Sequence, residues 1–85
     1  MYKVELSAIS EKFLKKIQKN EAERILQRLH SIREEPFRYI VRLKGTLLYK
    51  LRIGDYRVEL DILIKGQTVF VVRIGHRRNV YQQEF

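Results

Sequence analysis

The chain has no cysteine, which excludes a disulfide framework and any thiolate metal site and is compatible with a reducing compartment. Its only imidazoles are His30 and His76, and their positions point to no shared metal site. No apolar run approaches the roughly 20 residues that span a bilayer, and the opening MYKVELS lacks the apolar core of a signal peptide. The expected location is therefore cytoplasmic, without a membrane partner. Repeats, linkers and low-complexity segments are also missing. Acidic side chains are scarce: 10 Asp and Glu stand against 18 Lys and Arg, a formal charge of +8 on 85 residues. Such a surplus favours polyanionic partners such as nucleic acid, an anionic surface or an acidic protein.

What is present fits one small domain, residues 1–85, whose 45% hydrophobic content is enough for one modest core. The clearest pattern runs from Leu48 to Ile64. Tyr49, Leu51 and Ile53 alternate with Lys50 and Arg52; beyond Gly54-Asp55, Tyr56, Val58, Leu60 and Ile62 alternate with Arg57, Glu59 and Asp61. Period two on both arms of a Gly-X pair predicts a β-hairpin with a type II′ turn. That turn sets Ile53 opposite Tyr56, Arg52 opposite Arg57 and Lys50 opposite Glu59. Two facing cations weaken a sheet, and a bound anion would compensate them.

Before the hairpin, YKVEL (Tyr2 to Leu6) alternates as a short strand. Ser7 or Ser10 offers an N-cap to a helix carrying Ile9, Phe13, Leu14 and Ile17 on its apolar face and Lys12, Lys15, Lys16 and Lys19 outside. Asn20 is the expected break. A second helix, about Glu21 to Arg33, places Ala22, Ile25, Leu26, Leu29 and Ile32 on one stripe, with His30 at the surface, and ends before Pro36. Residues 37–44 read as a connection in which Ile40, Val41 and Leu43 pack.

The last strand, Thr68 to Gly75, depends on its turn. A two-residue loop, Lys65-Gly66, sends Arg73 into the core. A three-residue loop through Gln67, with Gly66 at positive φ, puts Phe70, Val72 and Ile74 in the core and Arg73 near Glu59, and is preferred because a buried arginine would lack a partner. The resulting fold is α+β, in the order β-α-α-β-β-β, with two antiparallel helices on one face of a small twisted, mainly antiparallel sheet. The opposite face stays open and carries Lys50, Arg52, Arg57, Arg73 and, with parity maintained, Arg77.

The combination of Tyr49-Lys50-x-Arg52, Gly54-Asp55-Tyr56-Arg57 and Gly75-His76-Arg77-Arg78-Asn79-Val80-Tyr81 closely resembles the RelE toxins of the RelE/ParE superfamily. The resemblance implies the toxin of a type II toxin–antitoxin pair, a ribosome-dependent endoribonuclease that cuts messenger RNA in the ribosomal A site. It also implies a RelB-like antitoxin, held with the toxin in a higher-order heteromer. The implied chemistry needs no metal or other cofactor: the 2′-hydroxyl attacks the adjacent phosphate, with a base, an acid and cations on the phosphoryl oxygens.

By the same resemblance the catalytic set is Lys50, Arg57, His76, Arg77 and Tyr81, with Arg52, Arg73 and Arg78 binding RNA or phosphate. Arg57 and Arg77 would stabilise the scissile phosphate, and Tyr81 would orient or stack on the substrate. Two departures from the best-known branch matter. Arg52 replaces a lysine and stays charged at neutral pH, so it is no base; His76 replaces another lysine and titrates near neutrality, which makes it a candidate base or acid. Plainer readings compete: Lys50 simply pairs with Glu59, His76 is a surface residue, and Tyr81 and Phe85 pack on the core edge. At the level of function the competitors are a ParE-like toxin that inhibits DNA gyrase without cutting RNA, and a non-catalytic RNA-binding module.

Overall fold

The hairpin forms with the predicted register. In the computed structural model, which describes residues 1–76, Tyr49–Ile53 and Tyr56–Leu63 pair antiparallel with Lys50 opposite Glu59, Arg52 opposite Arg57 and Ile53 opposite Tyr56. Gly54 has φ 58° and Asp55 stays at negative φ, the combination a II′ turn requires. Leu51, Ile53, Val58, Leu60 and Ile62 are buried on the inner face. A Cβ at Gly54 would also lie 2.9 Å from the Arg24 guanidinium. That side chain is flexible and can move, so backbone strain dominates, and Gly54→Ala is expected to cost about 1 kcal/mol in urea unfolding.

Five strands make one sheet: β1 (Lys3–Leu6), β2 (Val41–Arg42), β3 (Tyr49–Ile53), β4 (Tyr56–Leu63) and β5 (Thr68–His76), in the spatial order β1-β5-β4-β3-β2. Among the described residues only β1 and β5 run parallel. Helices α1 (Ala8–Lys16) and α2 (Lys19–Ser31) complete the core with Leu14, Ile25 and Leu29, and Ile32 caps α2. Val41–Arg42, expected as connection, is a two-residue edge strand, and Val41 is exposed rather than packed, whereas Ile40 rests against the core.

The β4–β5 connection departs from both expected loops. Four residues, Ile64 to Gln67, link Leu63 to its partner Thr68, and Gln67, not Gly66, takes the left-handed φ of 46°. Near this loop the pairing is that of the two-residue alternative, so Val69 and Val71 enter the core and Phe70 does not. Between Glu59 and Leu60 the register shifts by one. Val72 is the extra residue of a β-bulge, and beyond it Ile74 faces the core while Arg73 faces Glu59. One strand thus contains both registers.

Helix α1 satisfies the bulge. Ser7 caps it by accepting the Ser10 N–H at 3.1 Å and donates its hydroxyl to the Val72 carbonyl at 2.6 Å, while the Ser10 hydroxyl donates to the Val71 carbonyl at 3.1 Å. Ser10 is fully buried here, whereas Ile9, expected on the apolar face, is exposed. Close approach of the first helical turn to β5 leaves room for a serine and rotates Ile9 outward. The helices break at Ile17 and Gln18, both extended, rather than at Asn20, which lies inside α2. Ile17 packs against the core at that point, and packing overrides the capping preference of asparagine. Helix α2 ends at Ser31, and Pro36 instead opens a 3₁₀ turn, Pro36–Arg38. No helix among the described residues is long and apolar enough to cross a membrane.

Candidate active site

The outer face of the hairpin is charged but only partly open. Arg52 is exposed and Lys50 half-buried, whereas Arg57 and Glu59 are buried, at 7% and 5% exposure. Alternation dictates that these side chains share a face; burial on that face needs neighbours the local pattern does not name. The bulge brings Arg73 to Glu59, where its Nε and Nη2 donate to the two carboxylate oxygens at 3.1 and 2.8 Å. Arg57 Nε lies 3.7 Å from the same carboxylate. One buried anion therefore organises two arginines, and part of the compensation expected from a bound anion for the facing Arg52 and Arg57 is internal.

Glu59 is committed to Arg73 and Arg57. Lys50 stands opposite Glu59 as expected, but the ion pair between them, the plainer reading of Lys50, does not form, and among the described residues Lys50 makes no ion pair. A pocket of about 530 Å³ lies over this group, bordered by Arg42, Lys44, Lys50, Arg57 and Arg73, with Glu59 as its one carboxylate among the described residues. Such a surface suits a phosphodiester: fixed cations face it, and Lys50, unpaired among the described residues, adds an ammonium to the same cavity wall.

His76 ends β5 opposite Tyr56 and is exposed. Its ring meets the Tyr56 ring edge-on at 5.7 Å, and Phe13 of α1 meets Tyr56 at 5.9 Å from the core side. Burial, reinforced by Glu21 and Asp55, raises the Tyr56 phenol above its ordinary pKa despite Arg24, so at neutral pH it is a hydrogen-bond donor. Arg77, Arg78, Tyr81 and Phe85 lie outside the described residues. His30 is exposed on α2, as expected. Among the described residues no group of three His, Asp or Glu side chains is arranged for a metal ion.

A second pocket, of about 260 Å³, adjoins the first and shares Lys50 and Arg57 with it. Its other walls are Arg28 of α2, Tyr39 just after the 3₁₀ turn, Val41 of β2, Leu51 and Arg52 of β3, and Tyr56 of β4. The Arg28 guanidinium lies 5.0 Å from the Tyr39 ring centre, and Arg42 covers Tyr49 at 4.7 Å. Sequence reasoning passed over Arg28 and Tyr39. The one available signal was an arginine on α2 beside the apolar stripe, which is too common to single out.

Comparison with known proteins places this geometry in context. The family model described as the ParE toxin of type II toxin-antitoxin system, parDE, matches residues 4–81. The archaeal RelE–RelB complex from Pyrococcus horikoshii OT3 contains a chain 26% identical to this one, with a TM-score of 0.75 over 89% of this chain and 94% of that one. Two further structures share the fold. The RelBE2 toxin–antitoxin complex of Mycobacterium tuberculosis matches with a TM-score of 0.79 at 23% identity, over 89% of this chain and 98% of its own. The isolated Escherichia coli RelE toxin matches at 0.75 and 22% identity, over 99% and 95%. No curated protein matches.

Proposed function

The chain belongs to the ParE toxin family of type II toxin–antitoxin systems, and from the cationic site on its sheet face, together with the resemblance of its site residues to those of RelE toxins, we propose that it is a ribosome-dependent endoribonuclease acting on messenger RNA in the A site. The observation that carries this reading is the cationic pocket in which Lys50, Arg57 and Arg73 line one cavity on the sheet face. Cleavage through the 2′-hydroxyl can use both kinds of cation found here, a lysine amine for the proton that must move and held guanidinium groups for the charge that grows on the phosphoryl oxygens.

In the proposed reaction the 2′-oxygen attacks the adjacent phosphorus and the bond to the 5′-oxygen breaks, leaving a 2′,3′-cyclic phosphate and a free 5′-hydroxyl. Arg57 and Arg77 neutralise the phosphoryl oxygens. Lys50 and His76 share the proton transfers, and Tyr81 orients the substrate. Arg52 and Arg78 bind the flanking backbone. Arg73, its fork held by Glu59, adds positive charge to the pocket wall. The partner is a RelB-like antitoxin, in keeping with the RelE–RelB complex at 26% identity, and the whole assembly is a higher-order heteromer in the cytoplasm.

The matching family model is that of ParE, which favours one second reading, a toxin that inhibits DNA gyrase by binding. Primer extension on a defined message in a purified translation system, run beside a gyrase supercoiling assay, separates the two. Cuts at the A-site codon that require ribosomes are the expected result. An intact message with lost supercoiling would transfer the protein to the gyrase reading.

A further inference from the structure

Beside the phosphate-binding face, the 260 Å³ pocket has a composition of its own. Four of its lining residues, Arg28, Lys50, Arg52 and Arg57, are cations, and no carboxylate lines it among the described residues. An anionic ligand is therefore favoured and an acidic wall does not oppose it. The pocket also presents planar groups: the Tyr39 ring, 41% exposed, with the Arg28 guanidinium 5.0 Å from its centre. Single-stranded RNA is held in this way, its bases stacking on aromatic rings or guanidinium planes.

The backbone supplies a further element. β2 pairs with β3 only at Tyr49 and Lys50, so among the described residues Leu51–Ile53 form the sheet edge, and Leu51 and Arg52 of that edge line the pocket. Edge amides and carbonyls can hydrogen-bond the polar rim of a base. The volume lies just below the range of pockets for drug-sized ligands, a size that suits one ring system with its sugar.

We propose that the pocket formed by Arg28, Tyr39, Val41 and Arg52 is a nucleobase subsite, which seats one nucleotide of the RNA next to the phosphate held at Lys50 and Arg57. The inference rests on the ribonuclease reading for its substrate. The stacking pair selects a flat ring, the cations retain its phosphate, and the β3 edge distinguishes one base from another. Tyr39 is thus a specificity-determining residue, acting by contact with the base and not on the reacting atoms.

The test is a ¹H–¹⁵N titration of the isolated toxin with the four nucleoside 5′-monophosphates, with inorganic phosphate as control. Nucleotides at millimolar concentration are expected to shift Arg28, Tyr39 and Arg52 saturably, and phosphate alone to shift Lys50 and Arg57 without Tyr39. Tyr39→Ala should weaken nucleotide binding about tenfold, as loss of one stacked base does, whereas Tyr39→Phe should retain it. Equal responses to phosphate and nucleotides, or unchanged nucleotide binding by Tyr39→Ala, would overturn the inference. An acidic peptide that shifts these residues when nucleotides do not would assign the pocket to a protein partner and overturn it as well. Tyr39-dependent nucleotide binding by a protein that leaves ribosomal messages intact would sustain the subsite and remove the ribonuclease reading. A-site cleavage with unaltered rate and codon preference in Tyr39→Ala would do the reverse.

Discussion

Arg57→Ala is expected to lower the single-turnover rate of A-site cleavage by about a hundredfold to a thousandfold, the scale on which one preorganised donor to a developing oxyanion acts. Arg57 is 7% exposed and its Nε lies 3.7 Å from Glu59 Oε2. Held in this way, a guanidinium reaches the phosphate without first losing the rotational freedom of a surface side chain. The same burial means that truncation opens a cavity and removes a positive neighbour from Glu59, so thermal melting has to accompany the rate measurement. Arg57→Lys separates the effects: it keeps the charge but loses the planar fork, and should retain the fold while recovering only part of the rate. Undiminished cleavage by a folded Arg57→Ala protein would remove Arg57 from the phosphate clamp and leave it a partner of Glu59.

The largest expected effect on stability belongs to the core beneath α2. Leu29 is fully buried, in a cluster that includes Ile25, Ile32, Leu51 and Leu60. Leu29→Ala removes most of an apolar side chain and leaves a cavity between a helix and a sheet that cannot both collapse into it. The cost is about 3 kcal/mol, against a total of about 5–10 kcal/mol for a domain of this length. Circular dichroism should report a fall in Tm of about 15 °C. A fall of only a degree or two would mean that α2 is less tightly held against the sheet than its burial implies.

The candidate site was legible wherever the pattern was local. Period-two alternation about Gly54-Asp55 assigned Lys50, Arg52, Arg57 and Glu59 to one face with their cross-strand partners, and the structure keeps each of those pairings. The stripe Ala22, Ile25, Leu26, Leu29 and Ile32 followed from helical spacing in the same way, and the cap of α1 was narrowed to Ser7 or Ser10, of which the structure uses Ser7. Failures occurred where two segments distant in the chain settle a question together. Asn20 has the propensity of a cap, but Ile17 turns the chain earlier by packing inward. Ile9 belongs to the apolar set by composition, yet the approach of α1 to β5 prefers Ser10 there.

The β5 register shows the division most plainly. Each of the two loops considered from the sequence implied a single register, and β5 adopts both because Val72 is extruded between them. That extrusion is tied to the Ser7 hydroxyl on the Val72 carbonyl, a contact 65 residues apart in the chain. The sequence by itself determined the hairpin, the apolar stripe of α2, the excess of positive charge and the residues that resemble a toxin's catalytic set, since turns, periodicity and composition act between near neighbours. Only the tertiary structure decided that Glu59, which the sequence already set near Arg73, also holds Arg57, that Lys50 pairs with no carboxylate among the described residues, and that Arg28 reaches Tyr39 at the β3 edge. Those outcomes depend on which side chains meet after the helices pack on the sheet, and such encounters leave no periodic trace in the chain.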